Sequence, residues 1–364
     1  MKRFPYYLSL ALTVSGGAAW ADVTIATVGP VTGSEAAIGE QMRHGAEAAV
    51  GDLNARGGVL GQKIIMEMGD DACDAKQAVA LANKLAQEKV ALVAGHFCSS
   101  ASIPASAVYH EENILQITPG STNPKLTEQG FENVFRVCGR DDQQGLVDGN
   151  YIVSHFKGKN VAIVHDKQTY SRGLADVVQQ TLHAGGVKEA LYETITPGEK
   201  DYSVLVTKLK AANIDLLFFG GYKTEAGLIA RQMREQNLKT VLMGGDALVT
   251  NEYWSITGPA GEGTLMSFSP DPRKDPRNAA LVARFKAGGY DPEAYTLYAY
   301  ATVQAWAQAA AKAQSFDTRK VETALKANRF DTVVGDIGFD GKGDVTAPGY
   351  VVYVWHDGTY DYAK

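Results

Sequence analysis

Two serines and two cysteines lie at positions that suit ligand binding and a disulfide bond in a protein built on a β-sheet. Residues 95–100 read Gly-His-Phe-Cys-Ser-Ser and close a short apolar run, and Cys73 follows two aspartates further upstream. In an open parallel sheet, ligands collect at the carboxyl ends of strands, where free N–H groups of the next helix attract anions. Ser99 and Ser100 fall at such an end, and Cys73 and Cys98 are a disulfide candidate.

Polar groups after other predicted strands complete a site that suits a small zwitterion. Such a ligand needs hydroxyl and N–H donors at one end, acceptors at the other, and apolar walls around its side chain. Ser99 and Thr122 suit a carboxylate. Asp246 and the carbonyl oxygen of Gly120 suit an ammonium group. These four positions therefore predict a binding site for a zwitterion.

Each of these positions also has a simpler structural explanation. A serine or threonine after a strand is commonly a helix N-cap, and Asp246 after two glycines fits a turn. Tyr170 and Tyr222 fit amphipathic surface aromatics as well as side chains that reach across a cleft and cover a ligand. These residues all fall at equivalent strand ends in the two halves of the chain. Their joint placement favours a binding site over the separate structural explanations.

The elements that must position these residues alternate between strand and helix, which predicts an α/β protein with mostly parallel sheets. The predicted strands are residues 23–28, 63–68, 90–94, 114–117, 135–138, 161–164, 188–195, 215–219, 240–243, 336–339 and 350–355. The predicted helices are residues 38–56, 74–87, 101–112, 141–156, 173–184, 202–212, 224–236, 276–287, 293–313 and 318–326. The order of elements repeats after about residue 140, which predicts two Rossmann-like lobes joined by a three-segment hinge.

The lobe boundaries follow from the late returns of the chain. We expect an N-terminal lobe of residues 22–139 plus 270–346 and a C-terminal lobe of residues 140–269 plus 347–364. The hinge segments are expected near residues 139–140, 267–270 and 346–349.

The first 21 residues are typical of a cleaved secretory signal peptide. They contain two basic residues, a short apolar core and the small-x-small sequence Ala19-Trp20-Ala21. The apolar core is shorter than the roughly 20 residues that a membrane-spanning helix needs. Export would allow a Cys73–Cys98 disulfide, and it would leave Cys138 as a buried free thiol.

Charge and motifs exclude several classes of function. The formal charge of −6 becomes −8 without Lys2 and Arg3, because residues 1–21 contain no acidic side chain. An acidic chain without a basic stripe argues against nucleic acid or anionic membranes as partners. No second ligand pair stands at zinc-like spacing from His96, so we expect no metal and a packed or hydrogen-bonded histidine. Nucleotide-binding and catalytic motifs are lacking, and the glycines of residues 258–263 have the wrong spacing, so we expect no cofactor and no enzyme activity.

Five segments resemble the branched-chain amino-acid-binding proteins of bacterial ABC importers, the Leu/Ile/Val-binding family within the type I periplasmic binding proteins. The segments are residues 70–74, 95–100, 117–122, 163–170 and 219–222. The resemblance covers essentially the whole chain after residue 21. It implies a periplasmic, two-lobed solute-binding protein that closes over one amino acid and delivers it to an inner-membrane permease, and we expect a monomer. The family's binding positions fall on Ser99, Gly120, Thr122, Tyr170, Tyr222 and Asp246.

Departures from the family pattern bear on which amino acid is bound. Leucine-binding members have leucine in place of Phe97, tyrosine in place of Ile38 and glutamate in place of Asp246. Phe97 subtracts volume from the pocket, and Tyr295 falls near its mouth, whereas Ile38 frees space. The shorter Asp246 makes room for an amine set farther from the carboxylate. We therefore expect a smaller or differently shaped ligand such as alanine, valine, proline or 4-aminobutyrate.

Two other functions are compatible with the sequence. A ligand-sensing receptor or regulator on the same fold would form a stable complex with a sensor instead of stimulating a permease. A hydrolase that uses Ser99 would need a positioned base, and His96 precedes the serine on the same segment with nothing to orient it.

Overall fold

The computed structural model describes residues 22–346 and 349–363, and the predicted signal peptide of residues 1–21 lies outside them. The strands are β1 (Val23–Gly29), β2 (Ile64–Asp70), β3 (Val93–Gly95), β4 (Gln116–Thr118), β5 (Val134–Arg136), β6 (Val161–His165), β7 (Leu191–Thr194), β8 (Leu216–Gly220), β9 (Val241–Gly244), β10 (Leu265–Phe268), β11 (Arg329–Thr332), β12 (Gly335–Gly338), β13 (Val351–His356) and β14 (Thr359–Tyr362). The helices are α1 (Ala36–Ala55), α2 (Ala75–Glu88), α3 (Ser99–Glu111), α4 (Lys125–Glu128), α5 (Asp141–His155), α6 (Thr169–Ala184), α7 (Ser203–Ala211), α8 (Lys223–Glu235), α9 (Asn251–Thr257), α10 (Ala279–Ala287), α11 (Ala294–Ala313) and α12 (Thr318–Ala327). The α/β fold with two lobes is as predicted.

The first lobe, called the N-lobe below, is built on a five-stranded sheet. Its strands run parallel in the order β2-β1-β3-β4-β5. Helix α11 returns late in the chain and packs against α1. A Cβ atom added to Gly45 of α1 would lie 2.0 Å from the carbonyl oxygen of Thr296. Glycine at this position therefore permits the close approach of the two helices.

The second lobe, called the C-lobe below, is built on a seven-stranded sheet in the order β14-β13-β10-β9-β8-β6-β7. Strand β13 runs antiparallel to both β10 and β14, while the other neighbours are parallel. Every residue of β6 and β8 is buried. Continuous apolar runs of this kind are typical of parallel strands that are covered by helices on both faces.

The chain passes between the two sheets three times, after β5, after β10 and before β13. The predicted lobe boundaries at residues 139/140 and 269/270 fall in the first two connections, and the third, 346/347, adjoins residues outside the described ones. The boundaries stay a prediction. Strand β10 extends into the segment 267–270 that was expected to be hinge, because Ser267 and Phe268 pair with β13.

Two short strands were not predicted. β11 reads Arg-Phe-Asp-Thr and pairs with β12, and β14 reads Thr-Tyr-Asp-Tyr and pairs with β13. Both are four residues long and largely polar, so neither shows the apolar run by which the other strands are recognised. Among residues 22–346 and 349–363, no helix combines the length and apolar character needed to cross a lipid bilayer.

Candidate functional site

A small cavity lies between the two lobes, at the carboxyl ends of their strands. Its lining residues are Phe97, Ser99, Gly120, Tyr170, Tyr222, Asp246 and Ala247. Each of them follows a strand of one of the two sheets within a few residues, as the switch-point geometry of open α/β sheets predicts.

The structure brings together most of the residues that the sequence singled out. Tyr295 contacts two lining residues, Phe97 and Asp246. Thr122 is buried but is not among the lining residues, and its carbonyl oxygen accepts a hydrogen bond from the Asp141 N–H at 2.9 Å. Its proposed contact with a ligand carboxylate remains a prediction. Ala247 was not predicted, since an alanine carries no chemical signal in the sequence.

Asp246 is the charged centre of the site. It begins a short 3-10 turn after β9, and it is buried. The Tyr170 hydroxyl donates to its Oδ1 atom at 2.8 Å, and the Tyr295 hydroxyl donates to its Oδ2 atom. Since Tyr170 belongs to the C-lobe and Tyr295 to α11 of the N-lobe, this carboxylate joins the two lobes.

Burial governs the protonation of this cluster. It raises the pKa of Asp246, and hydrogen bonds from Tyr295, Tyr170 and Gln144 oppose that rise. Burial also raises the pKa of the tyrosines well above its ordinary value, so their hydroxyls stay neutral and donate. A carboxylate that accepts two such bonds keeps lone pairs for a ligand donor. The arrangement can hold a cationic group such as an ammonium.

Aromatic rings form the apolar wall. The Phe97 ring meets Tyr295 edge to face with a centroid separation of 4.9 Å, and it lies 6.5 Å from the Tyr222 ring. The rings of Tyr170 and Tyr222 are 5.3 Å apart. A Cβ atom added to Gly120 would come within 2.5 Å of the Phe97 ring. Phe97 and Gly120 therefore fit together, and the phenyl ring occupies space that a smaller side chain would leave to the ligand.

The Ser99 end of the site is anchored by the predicted disulfide. Cys73 and Cys98 are bonded, with their Cα atoms 5.3 Å apart, which confirms that prediction. Ser99 is the first residue of α3, and its hydroxyl accepts a hydrogen bond from the Asn123 N–H at 3.3 Å. The Ser100 hydroxyl donates instead to the Cys73 carbonyl oxygen at 3.3 Å. The disulfide thus ties the start of α3 to the loop that follows β2.

His96 and Cys138 are buried as predicted. The His96 Nδ1 atom lies 2.6 Å from Asp71 Oδ2, and its Nε2 atom lies 3.0 Å from the Tyr109 hydroxyl. Cys138 is a free thiol, and burial raises its pKa. Both residues hold the N-lobe together beside the site.

Potential metal ligands come together elsewhere on the surface. In the part of the chain that the structure describes, one group of three such side chains lies close together: Glu262, His356 and Asp357. All three are exposed, and none of them lines the cavity.

The two lobes lie closed on each other around the cavity. The Asn123 side-chain amide of the N-lobe donates to the Thr169 carbonyl oxygen of the C-lobe at 3.0 Å. The Lys223 ammonium of the C-lobe donates to Glu35 of the N-lobe at 2.7 Å. The Thr250 hydroxyl donates to Glu293 at 2.7 Å. No pattern in the sequence pointed to these contacts.

Comparisons with known proteins agree with this architecture. The family model for periplasmic binding proteins matches residues 22–359. The Leu/Ile/Val-binding protein homolog 1 of Brucella melitensis is 52% identical over 358 residues, which cover 97% of this chain and 96% of that protein. An amino acid binding protein of Pseudomonas aeruginosa is 50% identical over 342 residues, covering 93% of this chain and 91% of that protein.

Solved structures show the same fold. The leucine-binding protein LivK from Thermotoga maritima superimposes with a TM-score of 0.87 at 27% identity, covering 94% of this chain and 98% of that one. LivJ from Streptococcus pneumoniae, solved with isoleucine, has a TM-score of 0.85 at 24% identity, covering 93% and 98%. The resemblance seen in the sequence is confirmed, and the chain belongs to the periplasmic binding protein family.

Proposed function

We propose that this protein is the solute-binding component of an ABC importer, which captures an amino acid in the periplasm and presents it to an inner-membrane permease. The observation that carries the proposal is a cavity between the lobes whose lining includes a buried carboxylate, Asp246, and the start of α3 at Ser99. The relatives that are named as Leu/Ile/Val-binding proteins support it.

The lining offers a partner for each of the two charges of an amino acid. At the start of α3, the Ser99 hydroxyl and the first free N–H groups of the helix would hold the carboxylate. Asp246 and the Gly120 carbonyl oxygen would accept from the ammonium group. Tyr170 and Tyr222 would close over the ligand from the C-lobe.

The shape of the cavity favours a small ligand. Phe97 and Tyr295 pack edge to face, and the Phe97 ring lines the small cavity. An oversized ligand in an apolar pocket is disfavoured by roughly 1–3 kcal/mol. We therefore propose alanine, valine, proline or 4-aminobutyrate as ligand in preference to leucine.

Capture would proceed by lobe closure. The ligand docks first on Ser99 and Gly120 of the N-lobe, and rotation about the three connecting segments then brings Tyr170, Tyr222 and Asp246 against it. Contacts that exist only in the closed form shift the equilibrium toward closure. The segments 139–140 and 269–270 and the connection before β13 are the proposed hinge.

We also propose that the protein is a monomer that performs no catalysis, needs no metal or cofactor and binds no nucleic acid. Within the described residues, both ring nitrogens of His96 already face Asp71 and Tyr109, so this histidine is not available as a base for Ser99.

A panel of amino acids in thermal-shift and titration-calorimetry experiments tests the proposal, because a bound ligand raises the melting temperature by mass action. We expect one or more of the small amino acids to bind more tightly than leucine. Nanomolar leucine binding without binding of the small ligands would refute the size argument. If no amino acid binds, or if the liganded protein forms a stable complex with a sensor domain and leaves permease activity unchanged, the transport function is wrong.

A further inference from the structure

We propose that Lys223 and Glu35 form a latch between the lobes that makes binding selective for ligand size although neither side chain lines the cavity. The pair forms only when closure is complete, so a ligand that holds the lobes slightly apart loses it. This inference rests on the proposed function and concerns how the same site discriminates among amino acids.

The latch is a buried ion pair that spans the cleft. Lys223 is the first residue of α8 in the C-lobe, and its side chain is completely buried. Its ammonium group donates to Glu35 Oε2 at 2.7 Å and to the Ser34 carbonyl oxygen at 2.8 Å. Both acceptors lie between β1 and α1 of the N-lobe. The Glu35 side chain is only 4% exposed.

The ammonium group of Lys223 makes its full set of contacts only when the lobes are completely closed. Lys223 has three N–H donors, and its third close neighbour is Glu252 Oε2 at 3.2 Å, on α9 of its own lobe. Two of the three acceptors therefore belong to the opposite lobe. If the lobes stop short of full closure, the lysine is partly removed from water without two of its partners, which is unfavourable for a charged group.

The latch is coupled directly to the cavity through the chain. Lys223 follows Tyr222, which lines the cavity and whose ring lies 6.5 Å from Phe97 of the opposite lobe. A ligand too large for the space between these rings would hold Tyr222 back, and the adjacent lysine would move away with it. Such a ligand would lose the ion pair in addition to cavity contacts, so discrimination would be steeper than the aromatic walls alone provide.

The test compares alanine with leucine in the wild-type protein and in the double variant Lys223→Met/Glu35→Gln. This variant removes both charges of the latch and leaves Glu252, whose side chain is 38% exposed, as the remaining carboxylate. Where a close, buried charge pair at an interface is net favourable, its removal weakens binding by about tenfold or more. We expect that loss for alanine, whereas leucine affinity stays within about twofold, so the ratio of the two Kd values falls by about tenfold. The matched control is Lys208→Met/Glu193→Gln, whose 2.9 Å pair lies within the C-lobe, and it should change neither Kd.

A second measurement needs no variant. Small-angle scattering of the wild-type protein saturated with leucine should show a larger radius of gyration than with alanine. Equal radii for the two complexes, or a double variant in which both affinities change by the same factor, would overturn the latch and leave the proposed function intact. Absence of binding of any amino acid to the wild-type protein would overturn both.

Discussion

Replacing Phe97 by leucine tests most directly how the aromatic wall sets the ligand. The substitution removes the ring that lies 4.9 Å from Tyr295 and fills the space beside Gly120. The freed volume adds to the small cavity that Phe97 lines. One additional methylene-sized space in an apolar pocket changes discrimination by roughly 1–3 kcal/mol. We therefore expect the Kd for leucine to fall by about 10- to 100-fold.

The same substitution should have a measurable effect on stability. Phe97 is buried, and an edge-to-face aromatic pair contributes about 0.5–1.5 kcal/mol beyond its buried area. With the added cavity, the free energy of unfolding should fall by about 1–2 kcal/mol in the absence of ligand. Leucine should restore part of the melting temperature, because it occupies the new space.

Titration calorimetry with leucine and alanine is the assay, and Phe135→Leu is the matched control. Phe135 is buried in the same lobe and meets Phe339 edge to face at 5.3 Å, but it does not line the cavity. This control should lower stability by a similar amount and leave both Kd values unchanged. If Phe97→Leu leaves the leucine Kd unchanged within twofold while Phe135→Leu behaves as expected, Phe97 does not limit the ligand size.

Three further predictions concern the anion end, the disulfide and a buried acid. Ser99→Ala should weaken amino-acid binding by about 1–3 kcal/mol through loss of a charge-assisted hydrogen bond, and an unchanged Kd in calorimetry would contradict its role. Replacing Cys73 and Cys98 by serine, which opens a link between positions 25 residues apart, should lower the free energy of unfolding in urea by about 3 kcal/mol. Burial raises the pKa of Asp148 well above 3.8, so the folded form binds a proton that the unfolded chain releases, and stability falls as pH rises from 3.8 toward the folded pKa. Asp148→Asn should remove that decline, so the free energy of unfolding at high pH should rise by about 1.4 kcal/mol for each pH unit between the two pKa values. Identical urea midpoints for the variant and the wild type at pH 5 and at pH 8 would contradict this prediction.

The site was predictable to the extent that it follows from strand ends. In parallel sheets the carboxyl ends of neighbouring strands lie along one edge, so residues that directly follow strands must be neighbours. Ser99, Gly120, Tyr170, Tyr222 and Asp246 all satisfy this rule, and all line the cavity. Their positions in the chain therefore place Ser99 with Gly120 at the edge of one sheet, and Tyr170, Tyr222 and Asp246 at the edge of the other.

Contacts that depend on how the lobes meet could not be predicted in the same way. Lys223 and Glu35 are 188 residues apart, and no periodicity or motif links them. The hydrogen bond from Tyr295 to Asp246 depends on where α11 lies after the chain has returned to the N-lobe. The orientation of Thr122 depends on a tight turn in which the Thr118 hydroxyl accepts from the Gly120 and Ser121 N–H groups. These contacts are set by tertiary packing, about which local sequence patterns carry no information.

The placement of Asp246 explains why one carboxylate can serve both recognition and closure. Its two oxygens accept hydrogen bonds from tyrosines of opposite lobes, so the carboxylate has both of these hydrogen bonds only when the lobes are together. The tyrosine hydroxyls are neutral and supply no positive charge to balance the carboxylate. Burial therefore raises the pKa of Asp246. A ligand ammonium would supply that charge and stabilise the ionised form. Ligand binding and lobe closure would then favour each other through this side chain. The ligand ammonium stabilises the ionised Asp246, and closure supplies the tyrosine hydrogen bonds that the ionised form accepts.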